Sequence, residues 1–141
     1  MNRIALATVF ASMALLVACG EQRPPDREAT EGGAARAEMD AATEAFADCI
    51  DGHATSMDVA EEAAGSLAIQ AVKMCSAERA ALVEKVAAFN AIGYPSRTPE
   101  QVQAVAEASV KVLEDEARNA AVVTIVKRQN ANGEPQAESE S

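Results

Sequence analysis

The chain predicts an all-α fold: a small up-down-up three-helix bundle with a flexible N-terminal linker and a C-terminal tail. Three observations lead there. Alanine, the residue with the highest intrinsic helix propensity, recurs throughout residues 34–121. Apolar residues in that span return at three- and four-residue steps, the repeat of one helix face. Between residues 90 and 101 a helix stop is followed closely by a helix start.

The first predicted helix carries Met39, Ala42, Phe46, Cys49, Ile50, His53 and Met57 on one stripe. Gly52 interrupts it and weakens the helix there by up to about 1 kcal/mol relative to alanine. The second stripe is Leu67, Ala71, Met74, Cys75, Leu82, Val86 and Phe89, and Asn90, Gly93 and Pro95 end that helix. Thr98-Pro99-Glu100-Gln101 then opens the third. Thr98 caps, Pro99 suits the first turn, Gln101 completes a capping box and Glu100 complements the helix dipole. Its stripe is Val102, Val105, Ala106, Ser109, Val112, Leu113, Ala117, Ala120 and Val123. Residues 122–126 are rich in β-branched side chains and would pass for a strand on propensity. With no second strand to pair with, they read as the apolar end of this helix.

The two ends of the chain differ from the middle. Arg3 begins a short positive region, and Ile4 to Val17 form an uncharged apolar run of 14 residues. That length suits a signal sequence and falls short of the roughly 20 residues that span a bilayer. The run ends in Leu16-Val17-Ala18-Cys19, which resembles the lipobox of bacterial lipoproteins. The resemblance implies cleavage before Cys19, a thioether-linked diacylglycerol on its sulfur and acylation of its new amine. A plain secretory signal cut near Ala18 is the other reading. Residue 20 is glycine rather than the aspartate that favours inner-membrane retention in enteric-type lipoproteins, which favours the outer membrane. Residues 1–18 are thus the signal peptide and 19–34 the lipidated cysteine with a linker, stiff at Pro24-Pro25 and broken at Gly32-Gly33. Residues 35–128 form the helical domain. Residues 129–141 are an acidic tail without apolar periodicity, too polar to offset ordering entropy.

Assigning Cys19 to lipid leaves Cys49 and Cys75, an even pair in an oxidising compartment and therefore a structural disulfide. The pair also locates the first turn. Thr55, Ser56 or Asp58 could cap a second helix starting early. A start at Asp58 puts Cys75 17 residues along it, roughly 25 Å from the turn, while Cys49 would lie about one turn away. Bridged Cα atoms must lie within about 7 Å, so the prediction is a turn between residues 57 and 66, although 59–64 look helical. A core of Ala, Val and Leu is thin for a domain this small, and closing the loop adds roughly 3 kcal/mol.

The chain carries 12 basic and 22 acidic residues; removing 1–18 takes away Arg3 alone and leaves 11 against 22, or −11. Such a surface carries no electrostatic footprint for nucleic acid or anionic headgroups. It reads as a solvated, self-repelling surface, with a basic partner as the sharper alternative. There is no glycine-rich phosphate loop, GxSxG, HExxH or CxxCH. Glu61-Glu62 and Glu114-Asp115-Glu116 point different ways on their helices and read as solvated faces. Cys49 and His53, four residues apart, share a helix side, but two ligands do not complete a zinc site. Met57, Met74 and His53 are a copper-compatible set that also fits core packing. No catalytic residue, metal or cofactor is assigned. The expected function is a non-enzymatic, membrane-tethered envelope lipoprotein facing the periplasm that contacts an envelope protein. The alternative is a small-ligand or metal-binding periplasmic protein using His53.

Overall fold

A computed structural model describes residues 27–133. The signal peptide, the lipobox with Cys19 and the last eight residues of the tail lie outside the described residues. All regular structure among them is helical: α1 (Arg27–Ser56), α2 (Ala64–Met74), α3 (Ser76–Gly93) and α4 (Pro99–Gly133). The all-α class therefore holds, with four helices in place of three.

The extra helix comes from a break at Cys75, in the middle of the second predicted helix. Cys75 adopts φ −96° and ψ 30°, and its N–H donates to the carbonyl of Val72 rather than one residue further back. No glycine or proline marks the place. Met74, predicted to be in the core, turns outward beside the break and is 58% exposed, while Cys75 is fully buried.

The first turn falls where the cysteine pair puts it. α1 runs through Gly52 to Ser56, and residues 57–63 form the connection. Asp58 there accepts a hydrogen bond from the N–H of Ala60, an Asx turn that competes with helix. Val59 drops into the core and pins the loop. Cys49 and Cys75 are bonded, with Cα atoms 6.0 Å apart.

α1 and α3 run antiparallel in the register set by that bond. Eleven residues before Cys49, Glu38 meets Lys85, ten residues after Cys75, at 3.0 Å. Near the start of α1, Gly32 lies beside Ile92, where a Cβ would meet the isoleucine at ordinary contact distance, 3.9 Å. The first helix thus includes 27–34, which composition assigned to the linker. α4 returns antiparallel to α3. Its start matches the predicted capping box: the Thr98 N–H donates to Gln101 Oε1 at 3.0 Å, and the Gln101 N–H donates to Thr98 Oγ1 at 3.4 Å.

The core is Phe46, Ile50, Val59, Leu82, Val110 and Ile125, filled in by alanines 54, 68, 71, 106 and 121. Small side chains at these points let helix axes approach closely. Stripes one and two match the prediction apart from Met74. The third drifts: Val102 and Ala106 are buried, but Val110, Ala121 and Ile125 face inward where Ser109, Val112, Ala120 and Val123 were expected. α2 and α3 meet α4 from either side of the break, so its inward face is not one straight line.

Because the bond closes a separation of 26 residues around a core this light, the double variant Cys49→Ser/Cys75→Ser should lose roughly 3 kcal/mol of unfolding free energy. Urea denaturation followed by circular dichroism measures the loss; a difference below about 1 kcal/mol would show that helix packing alone sets the register.

Candidate functional site

The end of the bundle where α1 meets the α2–α3 break gathers most of the chemistry in the domain. Cys49 and His53 stand one turn apart on α1, on the face that the apolar stripe turns inward. Cys75 arrives from the break. Cysteine sulfurs and histidine ring nitrogen lie within 4.8 Å of one another, with Cys75 buried and Cys49 and His53 half-buried. No other His, Cys, Asp or Glu among the described residues joins this group. Neither nitrogen of the His53 ring is hydrogen-bonded to a described residue, and neither is sealed from solvent. The imidazole is therefore uncommitted, beside a disulfide that is accessible from the Cys49 side. Of the methionines considered with it, Met57 packs against the core and Met74 points to solvent.

The same end is closed by two residues of α4. Arg128 Nη1 donates to the carbonyls of Ala54 at 2.8 Å and Met57 at 3.0 Å. Gln129 Nε2 donates to those of Val59 at 2.9 Å and Glu62 at 2.8 Å. The last carbonyls of a helix have no partner within it; here a guanidinium supplies one for α1 and an amide holds the connecting loop. Residue 129, assigned to the tail by composition, belongs to the folded unit, and α4 continues to Gly133. The signal for both residues lay in continuing the steps from Ala121 and Ile125.

A third cluster lies between α3 and α4. Arg79 Nε reaches Glu114 at 2.7 Å and its Nη2 reaches Glu107 at 3.1 Å; Lys111 reaches Glu114 at 3.1 Å and Asp115 at 2.8 Å. Glu114 is 18% exposed, so it leaves the solvated face on which the sequence placed it. Partial burial pushes its carboxyl pKa up, but hydrogen bonds from Arg79 and Lys111 together outweigh that and hold it below the usual glutamate range. The hydrogen bond to Glu114 in turn raises Arg79. With every carboxylate in it engaged by a cation, this network reads as a brace between α3 and α4.

At the α3–α4 turn, Arg97 stacks on Tyr94 with its guanidinium carbon 3.8 Å from the ring centroid. An open cleft beside them is lined by Ala87, Ala91, Pro95 and Val102. Tyr94 and Arg97 themselves line it, and it gathers no carboxylate, histidine or cysteine side chain.

Comparison with family models, with curated proteins and with solved structures finds no match to this chain. The site is therefore judged on its own atoms. Of the four regions, the Cys49–His53–Cys75 corner alone sets an imidazole with no hydrogen bond to a described residue beside two sulfurs.

Arg128→Met keeps the aliphatic stem but strands two carbonyls, and should destabilise the domain by about 1–3 kcal/mol; an unchanged urea midpoint would show that water replaces the guanidinium. Glu114 has a lowered folded pKa, so its contribution is complete above the unfolded value near 4.3 and is lost as pH falls through the folded one. The urea midpoint should therefore fall between about pH 5 and pH 3, and Glu114→Gln should flatten that fall while lowering stability at pH 6. A pH profile unaltered by the substitution would remove Glu114 from the account.

Proposed function

We propose that the protein is a non-enzymatic envelope lipoprotein, anchored through lipid on Cys19, whose helical domain contacts another envelope protein. One observation carries this reading: an uncharged apolar run that ends in Leu16-Val17-Ala18-Cys19. Two features support it. The remaining two cysteines form a disulfide in the folded domain, a bond that persists in oxidising compartments. No helix among the described residues is long and apolar enough to cross a membrane, and in this reading acyl chains do the anchoring. Each buried methylene adds about 0.8 kcal/mol, so two or three chains hold stably. Gly20 after the lipid-bearing cysteine favours the outer membrane. The strongly acidic surface makes a basic face on the partner the natural complement, and tethering raises the effective concentration at which the two meet.

A second reading, binding of a small ligand or metal through His53, draws on one observation: the uncommitted ring beside two sulfurs.

The first reading is tested at Cys19. Intact-mass measurement of envelope-extracted protein should show loss of residues 1–18 and gain of diacylglycerol plus an acyl chain, and the protein should enter the detergent phase on phase separation. Cys19→Ser should remain aqueous, at an unmodified mass, and should lose the cross-linked partner that the anchored form retains. A wild-type mass without lipid would refute the anchor; equal cross-linking by both forms would refute the role given to the tether.

A further inference from the structure

The corner formed by Cys49, His53 and Cys75 has three donors in reach of one another, two of them locked together. Helix geometry fixes Cys49 and His53 one turn apart on α1, and the fold brings Cys75 to them at a Cα separation of 6.0 Å from Cys49. A tetrahedral cation with metal–sulfur bonds near 2.3 Å and a metal–nitrogen bond near 2.0 Å needs sulfurs about 3.8 Å apart and sulfur–nitrogen distances of about 3.6 Å. All three donor atoms already lie within 4.8 Å of one another. If the sulfurs are released, side-chain rotation brings them to those distances and the helices can stay where they are.

We propose that, once a dithiol opens the Cys49–Cys75 bond, the two thiolates and the His53 imidazole bind one thiophilic d10 cation, zinc(II) or copper(I). The chemistry of the donors selects that class: two thiolates and an imidazole suit soft and borderline ions, whereas calcium and magnesium take oxygen. No carboxylate joins the group, so the protein supplies three ligands. Copper(I) is satisfied by three, and zinc would hold water at the fourth position. Cys49 and His53 are half-buried, which gives a cation and a reductant access, while Cys75 is enclosed and keeps one side dry. Of the three donors, His53 lies in the last turn of α1, the end of the helix dipole that favours positive charge.

The opening step balances without further reagents. A thiolate of the dithiol attacks the Sγ of Cys49, the half-buried residue of the pair, and the Cys75 thiolate leaves. The second thiol of the reductant then displaces Cys49 and closes its own disulfide, so two electrons pass from the dithiol to the protein. Each protein sulfur then takes a proton or the cation, and binding the cation displaces those protons. The metal would restore a link between α1 and the break that reduction removes, so the domain remains crosslinked in both states. This inference rests on the second reading of His53 and is independent of anchoring at Cys19.

The test uses the full chain, reduced with a phosphine and titrated anaerobically with zinc(II) and with copper(I) against chromophoric chelators, with cobalt(II) as a spectroscopic substitute. The reduced protein should take up one equivalent, show thiolate-to-cobalt absorption in the near ultraviolet, and regain thermal stability lost on reduction. His53→Ala should weaken binding at least tenfold, and Cys49→Ser/Cys75→Ser should abolish it. Retention of copper(I) against excess zinc identifies the three-coordinate ion; the reverse identifies zinc with an open position. Should the reduced chain unfold, refolding at one equivalent, followed by circular dichroism, supports the site, and no refolding overturns it. No uptake of either ion by the reduced form, or uptake unaffected by His53→Ala, also overturns it. Equal uptake by the oxidised form, whose sulfurs are bonded to each other and offer no thiolate, overturns it as well.

Discussion

A core that is one-third alanine leaves little to hold one helix in register against the next, since alanines offer few ridges to interlock. The bond between Cys49 and Cys75 supplies the missing constraint. It pins α1 to the break between α2 and α3, and nearly equal steps away from it bring Glu38 to Lys85 and Gly32 to Ile92. The register of the longest contact in the domain is thus continuous with one covalent link. The break matters for the same reason. By ending one helix and starting another at the crosslinked residue, the chain presents α2 to one part of α4 and α3 to another.

At the end where the crosslink lies, closure is polar as well as covalent. Arg128 and Gln129 bind carbonyls about seventy residues earlier in the chain, which ties the last helix to the first connection. On the other flank, Arg79, Lys111, Glu107 and Glu114 brace α3 against α4. Ion pairs this exposed contribute little singly; as a shared network around a partly buried carboxylate they add directionality that alanine packing lacks.

Much of this was legible from residue order. Stripe one, the capping box at Thr98 and the turn between residues 57 and 66 all came from local chemistry or from the geometry a disulfide demands. The misreadings share a cause. With alanine on every face, polarity barely separates the inside of α4 from its outside, so a stripe through Val112 and Val123 looked as good as the real one through Val110 and Ile125. The break at Cys75 carries no glycine or proline to announce it. Gln129 looks like tail because its partners lie far away in the chain, where periodicity has no view. The candidate site was half visible: spacing puts Cys49 and His53 on one helix side and the cysteine pairing brings Cys75 to Cys49, but counting the bonded sulfurs only as a crosslink left the three donors unjoined.

The early start of α1 has a mechanical consequence. Only eight residue steps separate Cys19 from Arg27, at most about 28 Å of chain even when fully drawn out. From Arg27 to His53 the chain is one helix, a rise of about 39 Å at 1.5 Å per residue. Were Cys19 held at a bilayer surface, as proposed, α1 would stand off that surface by no more than the chain between Cys19 and Arg27 allows. The helix's far tip carries the sulfurs and the imidazole. Under that anchoring the tip would sweep a shell around the attachment point, and a partner would meet it from the aqueous side.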